Sequence, residues 1–211
     1  MCLYDRTRKY LSTYTLKHTT YMPQNTVRTL LATDHVTEAT RQVLTERLNA
    51  PPRQPTFFSA DEFSLLQAIC DRLIPQYNRP EYIDVAGGID ERLSQNKSNG
   101  WRYDIMPADG DAYKQGLAGM EETAQALFQR SFRQLSGDQQ DRIIGLIQTG
   151  DAPGDTWQTL PADRFFEELL AEASENYYSH PLAQEEIGYV GMADLPAWNR
   201  VGLNQLEDRE R

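Results

Sequence analysis

The sequence predicts an all-α chain: an irregular bundle of five or six helices, preceded by an extended N-terminal arm and followed by an irregular apolar C-terminal tail. Three observations predict it. Apolar residues recur at helical spacing through most of residues 37–178, as they do in helices buried along one face. Two capping boxes, Ser59 with Glu62 and Ser136 with Gln139, open such runs. No pair of alternating apolar runs joined by a tight turn reads as a strand hairpin.

Residues 1–25 fit no amphipathic helix. Tyr4, Tyr10, Tyr14 and Tyr21 are scattered among Thr, Arg and Lys, and the run from Tyr10 to Leu16 favours extended structure. Large amphipathic rings on a polar extended segment suit an interface arm, because Tyr offers contact area with little entropy loss.

Helices follow in order. Residues 37–49 place Val43, Leu44 and Leu48 on one face, and Pro51–Pro52 stop the helix. From the Ser59 cap, Phe63, Leu66, Ile69, Cys70, Leu73 and Ile74 form a stripe that ends at Pro75. Residues 81–93 continue with Ile83, Ala86, Ile89 and Leu93, weakened by Gly87 and Gly88. A polar loop at 96–110 carries Trp101, Tyr103 and Met106. Asp109 or Asp111 is the expected cap of a long helix bearing Tyr113, Leu117, Met120, Ala124, Leu127 and Phe128. The Ser136 box opens a helix with Ile143, Ile144 and Ile147 that ends near Gly150. Pro161 suits the first turn of a helix through Tyr178, packed by Phe165, Phe166, Leu169, Leu170, Ala173 and Tyr177.

The tail differs. Between His180 and Leu203, Ile187, Tyr189, Val190, Met192, Leu195, Trp198 and Val201 are as apolar as any helix, yet Gly188, Gly191, Pro196 and Gly202 prevent a long one. Such a segment must pack on its own bundle or in a partner's groove. The organisation expected is thus an arm with one short helix (1–57), a helical domain that includes the tail from 180 (58–203) and a charged terminus (204–211).

The chain has 211 residues, room for one globular domain with extensions or two small ones. Aromatic residues make up 10%, which excludes wholesale disorder. The net charge of -10 argues against nucleic acid as a partner, since a phosphate backbone demands clustered Lys and Arg. Residues 1–57 hold 8 Lys/Arg against 4 Asp/Glu, so the remainder carries -14. A basic arm on an acidic body suggests that the arm lies against something acidic. No apolar run approaches the ~20 residues that span a bilayer, and direct membrane insertion is not expected. Cys2 and Cys70 have no metal-ligand or redox spacing. Cys70 reads as a core thiol, and both should be reduced in a cytoplasmic protein.

Catalytic residue patterns are sparse. His18, His35 and His180 lie far apart. His35 and Glu38 stand at i, i+3, but no second pair completes a metal site. His180 lies at a helix C-terminus, where the dipole favours an imidazole without any catalytic duty. Glu185 and Glu186 are adjacent, and neighbours diverge on any regular element. Gly116 and Gly119 lack the preceding strand of a dinucleotide fold. No catalytic, cofactor-binding or metal-binding residue is therefore expected, and the candidates are interface residues: the four arm tyrosines, Tyr178, His180, Tyr189, Met192, Leu195 and Trp198.

Residues 58–75 (FSADEFSLLQAICDRLIP) and 165–203 (FFEELLAEASENYYSHPLAQEEIGYVGMADLPAWNRVGL) resemble the gluconate 2-dehydrogenase subunit 3 family. The resemblance rests on Asp-Arg-Leu-Ile-Pro at 71–75, Tyr-Tyr-Ser-His-Pro at 177–181, Gly-Tyr-Val-Gly at 188–191 and Trp198, and it spans about residues 57 to 203. It implies a cofactor-free small subunit that helps a glucose–methanol–choline type flavoprotein mature, with FAD in that partner and often a haem c electron-transfer subunit beyond it. The longer arm is more like that of small subunits paired with glucoside 3-dehydrogenases. The twin-arginine signal of exported relatives is not matched, since Arg6 and Arg8 are not adjacent and no apolar segment follows. The expected location is cytoplasmic as the sequence stands, with the periplasm as the family-based alternative. The competing reading is a free-standing helical enzyme or small-ligand module using carboxylates and His180.

Overall fold

In the computed structural model, which describes residues 26–77, 79–98, 103–187 and 189, every regular element is helical. Eight α-helices run in chain order: α1 (Thr26–Leu31), α2 (Glu38–Leu48), α3 (Ala60–Leu73), α4 (Val85–Ser94), α5 (Asp109–Phe128), α6 (Gly137–Thr149), α7 (Ala162–Tyr178) and α8 (Pro181–Glu186). Two single 3₁₀ turns, Phe132–Gln134 and Thr156–Gln158, flank α6. The all-α reading holds. Of the five or six helices expected, all six of the segments read along the chain are helical, and α1 and α8 are short additions of six residues each. Residues 1–25 and 190–211, with Tyr4, Tyr10, Tyr14, Tyr21, Met192, Leu195 and Trp198, lie outside the described residues.

The chain divides into two compact units. In the smaller, whose described residues are 26–41 with 184–187 and 189, Val27, Leu31 and Val36 are buried. The Arg41 guanidinium ties its loop by donating to the carbonyls of Thr33 (3.0 Å) and Val36 (3.1 Å). The Glu185 carboxylate accepts the Val27 N–H at 3.4 Å.

The larger unit, residues 42–183, holds the main core. Helix α7 packs on α3, α4, α5 and α6, and α3 packs on α4, α5 and α6. Leu66, Ile69, Ile89, Leu117, Met120, Phe132, Ile143, Ile147, Phe165 and Leu169 fill the space between. Cys70 is a free thiol buried in this core, and burial pushes its pKa far up, which leaves it inert. In α2 the structure buries Leu44 and Leu48 but leaves Val43 47% exposed, so the stripe is narrower than expected.

The capping boxes form as read. The Glu62 carboxylate accepts the Ser59 N–H at 2.9 Å, and the Gln139 side-chain oxygen accepts the Ser136 N–H at 3.0 Å. Two expected starts are corrected. Helix α4 begins at Val85 rather than residue 81, because Asp84 caps it by accepting the Gly87 N–H at 2.9 Å. Neither Asp109 nor Asp111 caps α5. Ala108 holds that position without a side-chain bond, and the Asp109 carboxylate is engaged by Arg92.

Gly116 and Gly119 of α5 owe their place to packing. A Cβ at Gly116 would stand 2.2 Å from the Phe165 ring, and one at Gly119 would stand 2.6 Å from the Trp157 ring. The missing side chains let both rings lie on the α5 backbone, and the Trp157 indole N–H reaches the Thr123 hydroxyl at 2.8 Å. Gly116→Ala should therefore destabilise the protein by ~1–3 kcal/mol through overpacking, although Ala is the better helix former by about 1 kcal/mol. Thermal melting by circular dichroism checks this, and an unchanged or higher melting temperature would refute it.

Candidate functional site

The connection between α3 and α4 is a loop fastened at four points. The Arg72 guanidinium forks onto Asp141 of α6 at 2.7 and 2.5 Å and donates to the Tyr77 hydroxyl at 2.9 Å. Gln76 bonds Ile83 in both directions, accepting its N–H at 2.9 Å and donating to its carbonyl at 3.0 Å. The Tyr82 hydroxyl donates to Asp71 at 2.8 Å. Arg79 donates to the Tyr177 hydroxyl at 2.9 Å, with its guanidinium 5.5 Å from that ring's centre. Burial and the bond to Asp71 both raise the Tyr82 pKa, so its phenol stays protonated as a donor.

These tethers hold the hydroxyls of Tyr77 and Tyr82 while leaving ring faces in water. Tyr77 is 72% exposed, Tyr82 50% and Tyr178 48%, the last stacked edge-on against Tyr177 at 5.1 Å. Exposed aromatic rings with fixed hydroxyls offer contact area without rotamer freedom to lose on binding.

Beside this rim lies a cleft of about 260 Å³, lined by residues 50–53, by Tyr82, Asp84 and Glu91, and by Asn176, Ser179, His180 and Arg47. Several of its polar groups are engaged within the chain, and the Arg47 guanidinium donates to the Ser179 carbonyl at 3.4 Å. Asp84 accepts the Arg53 N–H at 2.8 Å, and the Arg53 side chain pairs with Glu91 at 2.8 Å. Gly88 also lines the cleft. A Cβ there would stand 2.1 Å from the Asn176 amide oxygen, so the glycine permits the close approach of α4 and α7. His180 is half-buried, with Nε2 3.3 Å from the Arg47 carbonyl oxygen and Nδ1 accepting the Leu182 N–H at 3.3 Å. Burial dominates and lowers the His180 pKa.

One turn deeper on α7 sits a buried ionic network. Glu172, only 2% exposed, accepts two bonds from the Arg92 fork of α4 and one from the Tyr113 hydroxyl of α5. Arg92 also donates to Asp109 at 2.8 Å and to the Lys97 carbonyl at 2.6 Å. Burial acts against the Arg92 charge, but the bonds and attraction from Glu172 and Asp109 outweigh it and raise its pKa. Burial also pushes up the Glu168 carboxyl nearby, helped by the charges of Asp109 and Glu172.

Of the candidates read from sequence, the structure brings Tyr178 and His180 to this rim and cleft. Tyr189 is exposed in the smaller unit. Tyr77 and Tyr82 were not among the candidates. Tyr77 falls in an aperiodic loop between two prolines, and Tyr82 was absorbed into a helix expected from residue 81. Among the described residues, no group of three or more His, Cys, Asp or Glu could hold a metal ion, and no helix is long and apolar enough to cross a membrane.

A family model described as gluconate 2-dehydrogenase subunit 3 matches residues 60–193, more than half of the chain. No curated protein and no solved structure matches it. The matched span contains the tyrosine rim, His180 and the whole ionic network. Within it, Arg92→Ala should cost ~3–5 kcal/mol by stranding the buried Glu172 charge, whereas Glu91→Gln at the exposed pair with Arg53 should cost ~0–1 kcal/mol. Urea midpoints of the two variants measure the contrast, and similar losses would show that the network is not the stronger constraint.

Proposed function

The chain belongs to the gluconate 2-dehydrogenase subunit 3 family, and from that premise we propose that it is a non-catalytic small subunit that binds, stabilises and helps mature an FAD-dependent dehydrogenase. The observation that carries the reading is the rim of Tyr77, Tyr82 and Tyr178, whose rings face solvent while their loop and helix end are held by Arg72, Asp71 and Arg79. Interfaces concentrate their energy in such pre-organised aromatic anchors. The flavin belongs to the partner, a glucose–methanol–choline type sugar or glucoside dehydrogenase, which in some complexes passes electrons to a haem c subunit. In this reading the residues of this chain bind and shape that partner and take no part in hydride transfer.

The internal bonds of the cleft fit the same role. A surface whose Arg53 is paired with its own Glu91 and whose Asp84 is bound by backbone N–H groups can sit against a polar protein surface at low desolvation cost. The exposed Ile187 and Tyr189, at the start of the segment that ends the family match, add apolar area suited to the same use.

Affinity capture of the tagged chain from its own cells, followed by size exclusion with absorbance read at flavin wavelengths, should recover a stoichiometric flavoprotein. The double substitution Tyr82→Ala with Tyr178→Ala should lower that recovery by about tenfold or more, with the melting temperature of the isolated chain nearly unchanged. Flavin bound to the isolated chain, substrate turnover by it, or full recovery with the double variant would each defeat the proposal.

A further inference from the structure

We propose that His180 is a pH-responsive cap, whose neutral ring couples the Arg47 carbonyl to the start of α8 and whose protonation breaks that coupling. Pro181 has no N–H, so Leu182 carries the first backbone donor of α8. That N–H points at His180 Nδ1 at 3.3 Å, and an imidazole nitrogen accepts only when it carries no proton. The opposite nitrogen, Nε2, lies 3.3 Å from the Arg47 carbonyl oxygen, which can only accept, so Nε2 carries the hydrogen. A single neutral tautomer satisfies both partners. The turn is closed by the Ala183 N–H, which donates to the His180 carbonyl at 3.0 Å.

A second proton has to enter at Nδ1, where it opposes the Leu182 N–H. Two donors then face one another, and the cap is lost. The charged groups around the ring do not rescue the cation. Burial is the largest influence and lowers the pKa; Arg79 and Arg47 act in the same direction, while Glu81 and the bond to the Arg47 carbonyl act against it. Arg53, Asp84 and Glu91 complete the charged lining of the cleft. The sign follows from the neutral form being favoured in the fold. The stabilisation is complete above the ordinary value of 6.5 and is lost as the pH falls below it towards the lower pKa of the folded state.

The location gives the change a consequence. His180 lines the cleft beside Tyr82, and Tyr178 precedes it by two residues, so protonation puts a cation into the tyrosine-rimmed surface and loosens the backbone next to it.

The test uses the full chain labelled with ¹⁵N. At neutral pH the ring nitrogens of His180 should show the Nε2–H tautomer. Between about pH 7.5 and 5, protection of the Leu182 amide from exchange, corrected for the intrinsic pH dependence, should drop roughly fivefold or more as His180 titrates. His180→Asn supplies a cap that does not titrate, and its Leu182 protection should stay flat over the same range. An Nδ1–H tautomer at neutral pH would overturn the proposal. So would Leu182 protection that holds while the ring titrates, or the same acid loss in the Asn variant. None of these readouts depends on the partner, so they stand or fall separately from the proposed function.

Discussion

The buried carboxylate of Glu172 is the constraint on which the larger unit turns. A lone charge in the middle of a helical core is untenable, and here Arg92 of α4 neutralises it while Tyr113 of α5 supplies a further donor. Three helices are thereby fixed to one point by groups with directional bonds, which apolar packing alone does not provide. Asn176, one turn along α7, donates to the Glu172 carbonyl and packs on Gly88, so the α4–α7 spacing set by the ionic network carries on to the cleft. The next residue, Tyr177, meets Arg79, and just beyond it lie the exposed Tyr178 and the half-buried His180. The rim is placed where it is because α7 cannot rotate without breaking its charge pair.

Asp90 performs a related task one position from the core residue Ile89. Buried on α4, it accepts the N–H groups of Thr56, Phe57 and Phe58 and the Thr56 hydroxyl, at 2.7 to 3.1 Å. Those three amides precede the Ser59 cap and would otherwise be unsatisfied. One carboxylate thus orients the entry to α3, and with it the stripe that carries Phe63, Leu66 and Ile69 into the core. Buried charge in this protein is spent on direction: Glu172 sets the angle of α7, and Asp90 sets the entry of α3.

Much of the fold was legible because its signals are local. The Ser59 and Ser136 boxes, the stops at Pro51 and Pro75 and the 3.6-residue stripes each follow from a few adjacent residues. What escaped was non-local. Helical periodicity picks out apolar positions only, so the buried Asp90 and Glu172 do not stand out beside Ile89 and Ala173. The start of α4 was misplaced because the Gln76 side chain, which bonds Ile83 both ways, holds residues ahead of Asp84 out of a helix. Gly116 and Gly119, which lack the strand of a dinucleotide fold, serve as seats for Phe165 and Trp157, a role that only the packing reveals. The site was half legible: Tyr178 and His180 were named, but the rings of Tyr77 and Tyr82 become a rim only when Arg72, Asp71 and Arg79 hold their loop.

Those tethers explain how a protein can keep aromatic rings in water without inviting indiscriminate contact. A ring on a mobile loop would collapse onto the nearest apolar surface, its own or a neighbour's. Here the hydroxyls of Tyr77 and Tyr82 are bound, Tyr178 stacks edge-on against Tyr177, and each supporting cation is itself pinned, Arg72 by Asp141 and Arg79 by Tyr177. The arrangement favours a partner whose shape already matches, because a rigid surface cannot adapt to a poor one, and a matching partner gains from the freedom already given up. The charge pair at Glu172 and the solvent-facing tyrosines are therefore two ends of one construction. The buried end gives up desolvation energy to fix α7, and the exposed end inherits that rigidity.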